Sequence, residues 1–387
     1  MKKKAIALVL LIALLGIPAF AADIRFNTDN IEKWNSIYLG EYDETPIEWL
    51  ILDENKNSMN QDGMFLIAKN GLYKTRPSSF TYYPSSGLKD KCASLFDSFD
   101  PMEKNIIQST EARRFNGIDL NDVFHYVTDH AVENEKVFLM STKEYKKYLE
   151  GSDYKNKSLD GAWYLRSNTE RWNGQMLVNK YGAFSYTTKN QSFSYYFRPA
   201  MNINPRIAAF ISPAEGGKES STGLFPIEER EGVSAWKLTL TDATRKFSAS
   251  ADSVVYSDDR KLVIDYTGAE VDSNEYISAF LLDDEDNILS YGALGRTISG
   301  ESGSLAITLP EDLKNGSYTL WAFSEQRNGD WRTDYVSAPV ELSFTLVDRP
   351  AADIPATGDG ANIALWCSLA AISAIGMAML LRKKKEA

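Results

Sequence analysis

The sequence predicts two folded domains, an α+β domain over residues 24–212 and an all-β, immunoglobulin-like sandwich over residues 233–347. Three observations lead to this prediction. The chain has 387 residues, of which 43% are hydrophobic, so it can build more than one packed core. Strand patterns, then helix patterns, then strand patterns follow one another in the first part. The second part contains only short alternating runs separated by Gly, Asp and Asn turns.

Composition excludes several classes of protein. The net charge of −11 argues against nucleic-acid binding, which needs clustered Lys and Arg. Two cysteines are too few for a disulfide-built scaffold, and two histidines leave little for a His-based metal or catalytic centre. We therefore expect no cofactor, no metal and no nucleic-acid partner.

The elements of the first domain follow from local signals. Asp100 as N-cap and Pro101 in the first turn start a helix that we expect to run to about residue 112. The spacing of apolar residues predicts a second helix over 121–132, and Ser141 with Glu144 forms a capping box for a third. Strands are predicted at 37–39, 47–52, 64–68, 162–166, 176–178 and 195–197.

A segment rich in Gly, Ser and Glu, residues 213–232, predicts a linker or an exposed loop. Strands are then predicted at 236–240, 261–266, 277–282, 304–309, 317–323 and 340–346. The acidic run 283–287 lacks the Gly and Glu positions of an EF-hand loop, which favours a solvated hairpin tip over a calcium site.

The N-terminus has the pattern of a secretory signal peptide, residues 1–21. Three lysines precede an apolar run, and Ala19 and Ala21 provide a small-x-small cleavage site. An uncleaved membrane anchor is the alternative. The apolar run is short for a membrane span, which favours secretion.

The C-terminus has the pattern of a membrane anchor. Residues 363–381 are 19 residues without a charge, enough to cross a bilayer as a helix. The tail 382–387 begins with four basic residues, which the positive-inside rule keeps in the cytoplasm. Both terminal segments are net positive, so the body between them is more acidic than the whole chain.

A short tether, 348–353, separates the sandwich from the pentapeptide Ile354-Pro355-Ala356-Thr357-Gly358. Together with the apolar helix and basic tail, this pentapeptide resembles the cell-wall sorting signal of Gram-positive surface proteins, with Ile in place of the usual Leu. The resemblance implies cleavage between Thr357 and Gly358 by a sortase and transfer to peptidoglycan. Pro355 favours the extended backbone that such a substrate needs. Permanent anchoring as a single-pass membrane protein with an extracellular body is the alternative.

The first domain resembles an uncharacterised domain family of Gram-positive surface proteins. The resemblance rests on LGEYDETPIEWLIL, FLIAKNGL, FDPMEKNIIQST, KVFLMSTKEYKKYL, AWYLRSN and YYFRPAMNIN, in that order. It implies an architecture and no activity. The last two pieces also resemble the C-type-lectin fold class. The later piece GSLAITLPEDLKNGSYTLWAFSEQ resembles spacer modules of wall-anchored proteins.

Residues 163–198 carry ten aromatic side chains interleaved with amide and guanidinium groups, a combination that suits a sugar or a protein surface. Strand alternation is expected to bury about half of them as core. The candidates for ligand binding are Trp172, Asn173, Arg166, Tyr195 and Arg198, of which the two arginines could equally be buried and structural.

No catalytic residue is indicated. His125 and His130 do not share a helix face, and Cys92 lies in an apolar context without an activating His beside it, so packing explains these residues better than catalysis. The sequence therefore favours a cell-wall-anchored surface protein whose distal domain binds a glycan or another extracellular ligand. A purely structural wall component and a surface enzyme are the alternatives.

Overall fold

The computed structural model describes residues 35–53, 63–78, 82–118, 126–150, 159–169, 172, 174–227, 232–298 and 300–350. The segments predicted as signal peptide (1–21), sorting motif (354–358) and membrane helix (363–381) lie outside these residues. Among the residues described, no helix is long and apolar enough to cross a membrane. Strands dominate the structure up to Val347.

Three α-helices occur among the described residues: α1 (Leu88–Ser98), α2 (Pro101–Ile106) and α3 (Thr142–Tyr148). The predicted capping box of Ser141 and Glu144 is confirmed at the start of α3. The predicted N-cap Asp100 is confirmed at the start of α2, where it also forms a capping box with Glu103. Single 3₁₀ turns occupy Tyr83–Ser85 and Pro205–Ile207.

The strands up to residue 213 include every strand predicted for this part. They are β1 (Ser36–Tyr42), β2 (Thr45–Asp53), β3 (Met64–Ala68), β4 (Tyr73–Thr75), β5 (Thr110–Ala112), β6 (Phe115–Ile118), β7 (Val127–Asp129), β8 (Val132–Glu135), β9 (Val137–Leu139), β10 (Trp163–Thr169), β11 (Gly174–Val178), β12 (Phe184–Thr187), β13 (Tyr195–Phe197), β14 (Pro199–Ile203) and β15 (Ala208–Pro213).

The strands after residue 213 likewise include every predicted one. They are β16 (Phe225–Pro226), β17 (Ala235–Thr241), β18 (Ser248–Ala251), β19 (Val254–Tyr256), β20 (Lys261–Thr267), β21 (Glu275–Leu282), β22 (Ile288–Arg296), β23 (Gly303–Thr308), β24 (Gly316–Gln326), β25 (Asp334–Val336) and β26 (Val340–Val347).

Two helix predictions are wrong in extent or type. The helix after Pro101 ends at Ile106 because Ile107 forms a β-bridge with Ile203 and the next backbone N–H bonds to the carbonyl of Asn202. The described part of 121–132 has no helix: Val127–Asp129 forms β7, which pairs with β10 in the register Asp129 to Ser167. Pairing with a distant strand overrides the local helical spacing in both cases.

One sheet crosses the predicted domain boundary. Its main path among the described residues is β16-β22-β21-β24-β25-β17-β1-β2-β3-β14-β9. Strand β17 lies at the junction, because it pairs in parallel with both β1 and β25 and antiparallel with β15. The segment 213–232, expected to be a linker or exposed loop, contains β16, which pairs with β22, and Lys218 in this segment bonds to Thr239 and Glu325. Strand pairing across the predicted boundary thus places both parts of the chain in one sheet.

The cores follow the sheets. One cluster joins Trp49 and Ile37 to Trp236 and Leu238, so residues from both sides of the predicted boundary share a core. A separate cluster lies between β21, β24 and β26 and the smaller sheet β18-β20-β23, as a sandwich requires. Strand β20 alternates exposed and buried residues along its whole length, which is the period-2 pattern read from the sequence.

Candidate functional site

A cleft of about 860 Å³ opens where loops from both parts of the chain meet. Its lining is polar and comes from the β1–β2 hairpin, the α1–α2 junction, the turn before β21 and the β24–β25 loop. The lining residues are Gly40, Glu41, Ser98, Asp100, Glu103, Asp272, Ser273, Asn274, Arg327, Asn328, Gly329, Arg332, Thr333 and Tyr335. We refer to this site as the interloop cleft.

Gly40 allows the hairpin wall to approach the helical wall. Its φ of +68° lies in the left-handed region, and a Cβ there would stand 2.1 Å from Cε1 of Phe99. Only glycine avoids both the strain of a positive φ and the collision of a Cβ with Phe99. Its backbone N–H donates to Glu103 Oε1 at 3.0 Å, which fixes the wall at that distance.

Glu103 ties three walls of the cleft together. Its carboxylate accepts hydrogen bonds from the N–H of Gly40, the N–H of Asp100 at 3.2 Å and the hydroxyl of Thr333 at 2.6 Å. Burial raises the pKa of Glu103, and these three donors offset part of that rise. Since the side chain is buried and its oxygens accept these three bonds, the role of Glu103 in the lining is to position the walls.

The β24–β25 loop is held by its asparagine and glycine residues. Asn328 donates its N–H to Asp334 Oδ1 at 2.7 Å and its amide to the carbonyl of Thr333 at 2.7 Å, and it accepts from Asn274 at 3.0 Å. Gly329 and Trp331 both adopt positive φ, 84° and 62°. Trp331 is 42% exposed, although its backbone N–H is bonded to Ala214. The loop thus presents a large aromatic side chain to solvent on a fixed backbone.

Arg332 bridges the loop to the β1–β2 hairpin. Its guanidinium donates to Glu41 Oε2 at 2.6 Å and to the carbonyl of Glu44 at 3.0 Å. Both side chains of this ion pair are exposed, 43% for Arg332 and 49% for Glu41, so solvent and ligands can reach them.

A buried ionic cluster lies directly behind the loop; it consists of Lys218, Lys237, Glu325, Arg327 and Asp334. Lys218 Nζ lies 2.6 Å from both Glu325 Oε1 and Asp334 Oδ2. Lys237 Nζ lies 2.7 Å from the same Asp334 oxygen, and Arg327 Nε lies 2.8 Å from Glu325 Oε2. Tyr291 and Ser278 also donate to Glu325. Because these residues come from β17, β24, β25 and the segment before β16, the cluster fixes the back of the cleft.

The cluster controls the protonation of its members. Burial alone would raise the pKa of Glu325, but Lys218 and Arg327 lower it to about 2. Burial lowers the pKa of Lys237, and Lys218 lowers it further, while Asp334 opposes the change. Glu325 is therefore a stable carboxylate, and Lys237 loses its proton more easily than an exposed lysine does.

The structure places both candidate arginines inside the protein. Arg166 is 2% exposed and forms a two-pronged ion pair with Glu144, at 2.5 and 2.7 Å, and it also donates to the carbonyls of Leu139 and His130. Arg198 is 1% exposed, donates to the carbonyl of Ala68 and lies over the ring of Trp163. Of the two readings left open by the sequence, the structural one agrees with these contacts.

The aromatic candidates divide between strands and turns and not by alternation along a strand, since the neighbours Trp163 and Tyr164 in β10 are both buried. Trp163, Tyr164 and Phe197 are buried, whereas Trp172, Tyr181 and Phe193 are exposed. Trp172 is 43% exposed and stacks on Tyr186 at a centroid distance of 5.8 Å. Tyr195 is half-buried against Tyr164, and Asn173 lies outside the described residues.

The remaining residues considered from the sequence are a cysteine, two histidines and the acidic run 283–287. Cys92 is buried in the main core, where burial raises the pKa of its thiol. His130 is buried and bonded to Asn168 at 2.7 Å, while His125 lies outside the described residues. The run 283–287 is the exposed tip of the β21–β22 hairpin, and Asp283 bonds to Asn287 across it. Among the described residues, no group of three or more His, Cys, Asp or Glu side chains could hold a metal ion.

No family model and no curated protein matches the chain. Solved structures similar to parts of it include CopC from Methylosinus trichosporium OB3b, with 22% identity, 27% of this chain and 93% of that chain covered, and a TM-score of 0.20. The BSP domain of a biofilm associated protein matches with 13% identity over 58% of this chain and 28% of that chain, TM-score 0.17. A tetra-tandem repeat in the extending region of a large adhesion protein matches with 16% identity over 43% and 38%, TM-score 0.16. TM-scores this low assign neither fold nor function.

The interloop cleft is absent from the sequence-based candidates. Its residues are spread from Gly40 to Tyr335, and no motif connects them. One local signal was available: Arg327-Asn-Gly-Asp-Trp-Arg-Thr333 combines a turn sequence with a tryptophan between charged residues.

Proposed function

We propose that this chain is an extracellular surface protein and that its interloop cleft binds a neutral, hydroxyl-rich ligand, an oligosaccharide. The main support is the lining of the cleft, in which amide, hydroxyl, carboxylate and guanidinium groups converge. These groups match the alternating donors and acceptors of sugar hydroxyls. In this proposal the α+β part and the immunoglobulin-like part build one binding unit together.

Charge favours a neutral ligand over an anionic one. The lining contains four acidic residues (Glu41, Asp100, Glu103 and Asp272) and two arginines, both of which are paired with carboxylates. The net charge of the chain is also negative, −11. An anionic polymer would therefore be repelled on approach.

Trp331 does not line the cleft itself, but it is an exposed aromatic side chain on one of the loops that form it. It lies in the chain between the lining residues Gly329 and Arg332, and it is 42% exposed. A ring fixed on a rigid loop loses little entropy on binding, and its face can pack against the C–H groups of a sugar ring.

A matched pair of tryptophan variants tests the proposal. Trp331 and Trp172 are almost equally exposed, 42% and 43%, but only Trp331 belongs to a loop of the cleft. In a glycan-array screen followed by calorimetry, Trp331→Ala should raise the Kd at least about tenfold, about 1.4 kcal/mol, and Trp172→Ala should leave it unchanged. The reverse result would move the site to the aromatic region 163–198. No glycan bound by a cooperatively melting wild-type protein would refute the proposal and favour a structural role.

We also propose that the C-terminal signal attaches the protein to the cell wall. The support is the order of pentapeptide, apolar run and basic tail over 354–387. Thr357→Ala should shift the protein from the peptidoglycan-bound fraction to the detergent-soluble membrane fraction. A wild-type protein that detergent already extracts would contradict sorting and support a permanent membrane anchor.

A further inference from the structure

Asp334 lies in an unusual position in the buried ionic cluster. Its side chain is fully buried, and Oδ2 is 2.6 Å from Lys218 Nζ and 2.7 Å from Lys237 Nζ. Among the described residues, nevertheless, no group donates a well-aligned hydrogen bond to this oxygen. The two amines are thus in contact with Oδ2 without a directional hydrogen bond to that oxygen, whereas Oδ1 accepts the N–H of Asn328 at 2.7 Å.

Strand pairing holds Lys237 and Asp334 in this contact. Strands β17 and β25 are parallel neighbours in which Thr239 is opposite Asp334. Lys237 precedes Thr239 by two positions and therefore points to the same side of the sheet. Its side chain is 4% exposed, and its Nζ also donates to the carbonyl of Gly329 at 2.8 Å.

We propose that Lys237 and Asp334 condense after folding into an intramolecular amide bond that joins β17 to β25. The lone pair of Lys237 Nζ forms the new bond to Asp334 Cγ, and the bond from Cγ to one carboxyl oxygen breaks. Of the three ammonium protons, one stays on the amide nitrogen and two leave with that oxygen as water. The balance needs no oxidant, reductant or activated donor.

Burial favours this condensation in two ways. An ammonium and a carboxylate are costly to keep away from water, whereas an amide is neutral, so the reaction removes two buried charges. The fold also holds the reacting groups in contact, which replaces the large entropic cost of a bimolecular encounter. The lowered pKa of Lys237 adds to the supply of neutral amine.

Lys218 and Glu325 support the reaction from the other side. Lys218 Nζ contacts both carboxylates at 2.6 Å, so its charge stabilises negative charge that develops on the Asp334 oxygen. Glu325, whose pKa is held low by Lys218 and Arg327, is a stable carboxylate that holds Lys218 in place. These two residues position the reacting pair and are not consumed.

Mass spectrometry of the purified full chain tests the proposal directly. Under denaturing conditions, the wild-type mass should be lower than the sequence mass by one water, and tandem spectra of a digest should contain a branched peptide that joins Lys237 to Asp334. Asp334→Ala cannot form the bond, so its measured mass should equal the mass calculated from its own sequence, without the loss of water. The partly exposed ion pair of Lys69 and Glu48, at 2.9 Å with normal hydrogen bonds, is the internal control and should yield only linear peptides.

Each possible result of this experiment either supports or overturns the proposal. A branched peptide at Lys237 supports the proposal. Linear peptides that cover both Lys237 and Asp334 in the wild type would overturn it, and so would a branch at Lys218. The decisive readout comes from the wild-type protein, so the test remains valid even if Asp334→Ala does not fold.

Discussion

Replacement of Arg166 by Met should destabilise the protein strongly. The substitution removes the partner of Glu144, which is 5% exposed, and leaves a buried carboxylate without its counter-ion. It also leaves the carbonyls of Leu139 and His130 without the donors they now have. Breaking a buried ion pair from one side costs about 3–5 kcal/mol, so we expect a loss of about 4 kcal/mol in the free energy of unfolding.

Arg332→Met is the matched control. Its ion pair with Glu41 has a similar length, 2.6 Å, but is exposed, and pairs of this kind contribute about 0–1 kcal/mol. Urea unfolding followed by tryptophan fluorescence should therefore show a much lower midpoint for Arg166→Met than for Arg332→Met. The double variant Arg166→Met/Glu144→Gln should be more stable than Arg166→Met, since it no longer buries a lone charge. Equal midpoints for Arg166→Met and the wild type would refute this reasoning.

Three further predictions concern burial and backbone. Burial lowers the pKa of His130 from 6.5 to about 4, so the unfolded state binds more protons than the folded state between these pH values. The free energy of unfolding should therefore fall as the pH drops from 6.5 to about 4. Thermal melts of His130→Gln over the same pH range should show a weaker fall. Glu103→Gln should cost about 1–3 kcal/mol in chemical denaturation because the amide cannot accept from both backbone N–H groups; an unchanged midpoint would contradict this. Gly40→Ala should lower the melting temperature, because its Cβ would collide with Phe99 at positive φ.

The sequence predicted the strands well because their pattern is local. Strand β20 reads as alternating polar and apolar residues, and the structure exposes and buries them in that order. The N-cap at Asp100 and the capping box of Ser141 and Glu144 were equally predictable, since the residues of each motif lie within three positions of one another.

The errors arise where distant partners decide the structure. The residues after Ile106 leave the helix because they bond to β14, and Val127 becomes strand because β10 lies beside it. Lys218 lies among Gly, Ser and Glu residues that look solvated, yet it is buried by contacts with Glu325 and Asp334, more than 100 positions away. The interloop cleft depends on the same long-range contacts, so the local turn signal at 327–333 marks one of its loops and not the cleft as a whole.

The pairing of β1 with β17 has a consequence for how the chain can fold. Ser36 and Ser234, which are hydrogen-bonded at this junction, are 198 positions apart. Strand β1 therefore cannot pair with β17 until most of the body has been synthesised. Until then β1 has an open hydrogen-bonding edge, which is a site for aggregation. A fragment cut at residue 212 would keep that edge open permanently. Any expression strategy that divides the chain at the Gly- and Ser-rich segment should therefore yield an insoluble N-terminal piece, and co-expression of the remainder should restore its solubility.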